Sequence, residues 1–175
     1  PIKSCRWVAL ATDVQPDEAG SDFRAKVAGT PTAFRLNALG VHNVQNATVA
    51  IQVAEYLGLD AKMIRTGLAA FELSPMRLEI HTTPSGITLL NDAYSSDPIS
   101  ARAALATLQQ YAGGAPRVAI LGDMLDLGAA SAAAHQELGR LVAESGVRRL
   151  ATLGPESAAT VKAALAAGMP EGRAV

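Results

Sequence analysis

LLNDAYSSDPISARAALATL, residues 89–108, decides how the chain is read. An apolar run ends in Asn91-Asp92, a short loop carries Tyr94, Ser95 and Ser96, and Asp97-Pro98 opens a helix. Asp is a preferred N-cap and Pro fits the first helical position, where its missing N–H is no loss. Ala101, Ala104, Leu105, Leu108 and Tyr111 then recur at helical spacing and predict a helix to about residue 111. A strand that passes through a loop into a helix is the repeating half of an α/β architecture.

The same rhythm continues downstream. RVAILGD (117–123) reads as a buried strand, Ser131 to about Glu144 as a helix with Ala134, Leu138, Leu141 and Val142 on one face, RRLATLG (148–154) as a strand and PESAATVKAALAAG (155–168) as a helix. Three strand–helix alternations predict a mostly parallel, Rossmann-like sheet with helices on its faces and ligands at the carboxyl ends of the strands. Upstream, RLEIHTT (77–83) and GITLLND (86–92) are strand-like and joined by the turn Pro84-Ser85-Gly86.

The pattern differs before ELSPM (72–76), and the boundary between two blocks falls near Ser74-Pro75. CRWVALA (5–11), DFRAKVAG (22–29) and TAFRLNA (32–38) read as strands. Residues 41–57 carry a broad helical stripe, with apolar residues at 44, 47, 51 and 54 and others beside them at 50, 53 and 57. Gly58 ends it, and Asp60 caps a second, shorter helix over 60–71.

Composition narrows the function. Of 175 residues, 49% are hydrophobic, 18% charged and 4% aromatic, and net charge is -1, which suits a globular protein without a polyanion-binding or base-stacking surface. No nucleic-acid partner is expected. A single cysteine, Cys5, excludes an intrachain disulfide and reads as a packed strand residue beside Trp7 and Val8. No apolar run approaches the ~20 residues that span a bilayer, so no membrane insertion is expected and a cytoplasmic setting is the default. A doubly wound sheet has about five or six strands, so the three read here predict a piece of a longer protein.

Several positions admit a structural and a chemical reading. Asp92 either caps a strand end or accepts hydrogen bonds from ribose hydroxyls at a sheet edge. Asp97 caps a helix whose free N–H groups and positive dipole end face the strand ends. Asp123, in the Gly-flanked acidic loop LGDMLDLG (121–128), either closes a turn or shapes a substrate pocket. In GVHNVQN (40–46), His42, Asn43 and Asn46 surround a helix start, as caps or as amides that read an adenine edge. Arg77 is a surface residue or a phosphate clamp beside the boundary. His81 reads as strand surface and His135 as a core-edge or solvent residue more readily than a catalytic one. Gly-x-x-Gly-Lys-Thr/Ser and Gly-x-Gly-x-x-Gly loops are both absent from the sequence, as is a metal-ligand cluster, so an ATP-using protein would grip phosphates outside this chain.

Taken in order, GVHNVQNATVAIQVAEYLGL, MRLEI, LLNDAYSSDPISARAALATL and RVAILGDMLDLG with a following His resemble the Mur ligases of peptidoglycan synthesis. Within them the likeness is to the branch that adds D-alanyl-D-alanine to UDP-N-acetylmuramoyl-tripeptide. The resemblance implies an ATP- and Mg²⁺-dependent acid–amine ligase, with residues 1–74 as the end of the central ATP-binding domain and 75–175 as most of the C-terminal one. The missing amino-terminal part of the same protein is then a partner. It further implies adenine-side contacts from His42, Asn43 and Asn46, a phosphate contact and catalytic role for Arg77, a ribose contact for Asp92, and Tyr94 as a neighbour lining the nucleotide. Ser95, Asp97 and Asp123 fall on its substrate side. The chain departs from the family at Tyr94-Ser95-Ser96-Asp97-Pro98, where Tyr-Asn-Ala-Asn-Pro is usual, and at Gly128-Ala129, where Gly-Glu is common. Two alternatives stay open: a Mur-type ligase adding a single amino acid, and a non-catalytic Rossmann-like binding module.

Overall fold

The structure, a computed structural model, describes residues 11–175, so most of the strand expected at 5–11, with Cys5, lies outside the described residues. The chain divides into two compact units, Pro1–Ser74 and Pro75–Val175.

In the first unit, β1 (Thr12–Pro16), β2 (Ser21–Val27) and β3 (Thr30–Leu36) pair antiparallel in that order. Strict alternation along β2 turns Ser21, Phe23, Ala25 and Val27 inward. Phe23 stacks on Phe34 across the pair, with ring centroids 5.8 Å apart. Ala28 and Gly29, both with positive φ (49° and 78°), make the two-residue turn whose twist suits a hairpin. The Ala28 N–H donates to Glu55 Oε1 at 2.7 Å and so ties the hairpin to the helix above it.

That helix, α1 (Val41–Tyr56), lays Val44, Ala47 and Ile51 on the sheet, and α2 (Ala61–Ala69) adds Ile64. Asp60 caps α2 as its sequence predicts, accepting from the Met63 N–H at 2.8 Å. The stripe on α1 is narrower than the sequence suggests. Val53 and Leu57 are exposed, because the sheet covers one side of the helix and its apolar residues spread beyond that side.

The second unit begins with a hairpin, β4 (Glu79–Thr82) and β5 (Thr88–Asn91), paired antiparallel from Glu79↔Asn91 to Thr82↔Thr88. Helix α3 (Pro98–Ala112) leads to β6 (Val118–Gly122). A single 3-10 turn (Gly128–Ala130) and α4 (Ser131–Glu144) return the chain to β7 (Arg149–Leu153), and α5 (Ala158–Ala166) follows. β6 and β7 pair in parallel, as a helical crossover requires, and Ala174 bridges to Leu150 in the same sense.

The fold is mixed α/β, but a single Rossmann-like parallel sheet does not form among the described residues. The sheets of this unit are two two-stranded pairs, and β5 hydrogen-bonds to β4 rather than to β6. The tight turn after β4 forces antiparallel pairing, while alternation of strand and helix fixes element order and leaves strand neighbours open. The core gathers Ala101 and Leu105 of α3, Ala119 and Leu150 of the parallel pair, Leu138 and Val142 of α4 and Ala164 of α5.

α4 and α5 touch backbone to backbone at Gly139. A Cβ there would collide with the Thr160 carbonyl oxygen and approach Ala163 Cβ at 2.8 Å and the Ala164 nitrogen at 2.9 Å. These are fixed helix atoms, so relief requires the helices to separate. Gly139→Ala is therefore expected to lower stability by about 1–3 kcal/mol despite the better helix propensity of alanine, measured as a reduced chemical-denaturation midpoint.

Candidate functional site

Arg77 sits on a strained turn. Its neighbours Met76 and Leu78 are both left-handed, with φ of 61° and 48°, a conformation that costs side-chain-bearing residues about 1 kcal/mol or more each. Three contacts hold the turn. Leu78, itself buried, donates its N–H to Asp92 Oδ1 at 3.1 Å. Tyr94 donates its N–H to the Met76 carbonyl at 3.2 Å, and Met76 donates its own to Glu79 Oε2 at 3.1 Å. That last bond, with His81 3.3 Å from the same carboxylate, holds Glu79 below the usual carboxylate range.

The loop after β5 thus meets the turn before β4, and both present side chains at the carboxyl end of β5. The Arg77 guanidinium lies over the Tyr94 ring, 4.2 Å from carbon to ring centroid, and its Nη1 reaches Ser95 Oγ at 3.4 Å. Arg77, Asp92, Tyr94 and Ser95 therefore form one cluster.

Asp97 belongs to the start of α3. Its Oδ1 accepts the N–H groups of Ile99 and Ser100 at 2.9 and 3.0 Å, and Ser100 Oγ lies 2.7 Å from Oδ2 and 3.1 Å from the Asp97 nitrogen. This capping box corrects the expectation of free N–H groups at this helix start, because the carboxylate already occupies two of them. The bonds from Ser100 and Ile99, with a smaller contribution from the nearby Arg77 charge, hold the Asp97 carboxyl below its ordinary range.

Asp123 follows β6 and reaches across to the start of α5. Oδ1 accepts the Ser157 N–H at 2.7 Å and Oδ2 the Glu156 N–H at 3.4 Å, so the carboxylate caps the approach to α5. A side chain at Gly154, where φ is 113°, would collide with that carboxylate. Beyond it, Met124 is buried and donates its N–H to His135 Nε2 at 3.0 Å, while His135 Nδ1 lies 2.9 Å from the Ser131 carbonyl. Nε2 must then be the unprotonated nitrogen and Nδ1 the donor.

His135 is wholly buried and staples the acidic loop to α4, where the sequence alone reads a core-edge or solvent residue. Ser131 and Glu156, joined at 2.9 Å, are further members that single-residue reading misses; a Gly-Asp-Met run followed eleven residues later by His is the signal that marks the staple. Asp126, Gly128, Ser131 and Glu156 line a cleft of about 370 Å³ there.

In the first unit, His42, Asn43 and Asn46 surround the start of α1, which has no side-chain cap. Asn43 Nδ2 donates to the Leu39 carbonyl at 2.8 Å, leaving its Oδ1 for another donor, and Asn46 is exposed. Among the described residues no group of three or more His, Cys, Asp or Glu is placed to hold a metal ion, and no helix is long and apolar enough to cross a membrane.

Residues 76–175 match the family described as Mur ligase, glutamate ligase domain. The UDP-N-acetylmuramoyl-tripeptide–D-alanyl-D-alanine ligase of Bacillus subtilis is 35% identical over 153 residues, which are 87% of this chain and 33% of that protein. The crystal structure of MurF from Acinetobacter baumannii superposes with a TM-score of 0.81 at 29% identity over 87% of this chain and 33% of that one. A MurF ligase from Thermotoga maritima, solved in complex with ADP, shares the fold at a TM-score of 0.74 and 18% identity, over 95% of this chain and 36% of that one. The chain spans about a third of the length of the curated relatives it matches.

The cap geometry makes a direct prediction. Asp97→Ala is expected to destabilise the protein by about 1 kcal/mol at neutral pH. A depressed folded pKa stabilises only while the group is ionised, so the gap between wild type and variant should close as pH falls below about 4. Denaturant titrations of both proteins at pH 7 and pH 3 read this out.

Proposed function

This chain belongs to the Mur ligase family, and from that premise we propose that it is part of an ATP-dependent ligase that joins D-alanyl-D-alanine to UDP-N-acetylmuramoyl-tripeptide. The observation that carries the reading is the cluster of Arg77, Asp92, Tyr94 and Ser95 at one strand end, inside the matched domain. The 35% identity to a ligase of that name favours the dipeptide over a single amino acid as the incoming amine.

In this reading the γ-phosphoryl group of ATP passes to the terminal carboxylate of the tripeptide, and ADP leaves. The amine of D-alanyl-D-alanine then attacks the carbonyl carbon of the acyl phosphate, the carbon–oxygen bond to phosphate breaks, and the amine loses its proton as the amide forms. No protein nucleophile is required; positioning and charge compensation carry the rate. Arg77 supplies a planar fork of N–H donors to phosphoryl oxygens. A carboxylate oxygen has two lone pairs, so Asp92 can hold the Leu78 N–H and still accept from a ribose hydroxyl.

Asn43 Oδ1 and the exposed Asn46, with His42, are the adenine-side groups of the reading, on the first unit taken as the end of the central domain. Asp97, Asp123 and His135 act at one remove, by fixing the loops that face the substrates. The cleft beside Asp126 and Glu156 offers carboxylates to the ammonium end of the dipeptide before it loses its proton. Mg²⁺ accompanies ATP in such chemistry; among the described residues no group of three or more His, Cys, Asp or Glu is placed to hold it, and in this reading its ligands lie mainly outside this chain. A cytoplasmic location goes with these substrates.

The test is phosphate release by the full-length gene product with ATP, Mg²⁺, UDP-N-acetylmuramoyl-tripeptide and D-alanyl-D-alanine. Release is expected to require the dipeptide and to fall by about 100-fold or more in Arg77→Ala. Release driven by a single amino acid would move the protein to another step of the same chemistry, and no release with any amine would overturn the ligase reading. The 175-residue chain alone is expected to release none.

A further inference from the structure

The Arg77–Tyr94 contact has a geometry that matters for an arginine meant to meet phosphate. A guanidinium carries its N–H donors in its plane, whereas an aromatic ring attracts it through its face. Tyr94 therefore holds Arg77 without occupying a donor, and Ser95 takes only one edge at 3.4 Å. The backbone is arranged to permit this. Tyr94 is tied to Met76 through its own N–H, next to the left-handed residues that aim Arg77. Tyr94 is 59% exposed, so burial in a core does not explain an aromatic residue at this position.

We propose that Tyr94 is a positioning residue that acts through Arg77, pre-orienting the guanidinium plane toward the nucleotide phosphates. This rests on the reading of Arg77 as a phosphate contact, and it assigns Tyr94 a role different from lining the nucleotide itself. An unpaired arginine at the surface samples many rotamers and loses that freedom on binding. The ring and the serine remove part of it beforehand.

The experiment is a double-mutant cycle on ATP dissociation constants, measured on the full-length gene product so that no turnover is needed. Tyr94→Leu is expected to weaken ATP binding about three- to tenfold, with Tyr94→Phe returning to within about twofold of wild type. In an Arg77→Ala background, Tyr94→Leu should change the constant by less than about twofold, because its route is gone. Selective arginine labelling gives a second readout. The Arg77 side-chain protons should show an upfield ring-current shift that Tyr94→Phe keeps and Tyr94→Leu removes, and a variant that fails to fold would show itself in the remaining arginine signals.

Equal losses in both backgrounds would mean that the ring touches the nucleotide directly and would overturn the proposal. So would a Phe variant no better than Leu, absence of the ring-current shift, or no ATP binding by wild type. If the cycle behaves as expected but no amine triggers phosphate release, the positioning role stands and only the ligase reading falls.

Discussion

The hydrogen bond from the Leu78 N–H to Asp92 Oδ1, 3.1 Å long, joins the start of the β-hairpin to its end. Leu78 is buried and left-handed, and its N–H cannot be left without an acceptor. Asp92 supplies one from the far strand, and the turn closes around Arg77. That bond acts with the Tyr94 N–H to Met76 carbonyl contact to keep Arg77, Tyr94 and Ser95 on one surface. The carboxylate is thus first a structural acceptor, and any contact it makes with a ribose is superimposed on that duty.

Much of this was legible in the sequence where the signal is local. Asp97-Pro98 announces a capped helix because both residue types act within one turn, and the structure shows a full capping box with Ser100. Asp60 is similar. Strand neighbours were less legible, because pairing is decided by which edges meet in space; the run through 89–92 looks the same beside β4 or beside β6. Polar residues at strand ends were legible in place but not in duty. Asp123 reads either as closing a turn or as shaping a pocket, and its Oδ1 is bound to the Ser157 N–H, thirty-four positions away. No window of sequence contains that partner.

His135 shows the same limit from the other side. A histidine on an amphipathic helix reads as surface or core edge until its two nitrogens are seen to join Met124 to Ser131. The acidic loop owes its shape to this staple and to Asp123, so His135 and Asp123 shape the cleft without lining it, through Met124, Ser131 and Glu156, which do. Both site clusters of the second unit share this logic. In each, a carboxylate takes a backbone N–H behind the outward groups: Asp92 that of Leu78, and Asp123 that of Ser157.

The parallel pair carries a different consequence. Ile120 is 75% exposed and Leu153 78%, and among the described residues β6 makes sheet hydrogen bonds only to β7. An open strand edge flanked by bare apolar side chains is a template for another strand. In a concentrated solution of the 175-residue chain, chains are therefore expected to add to one another along β6. Colloidal behaviour, more than unfolding, would then set the working concentration of the isolated chain.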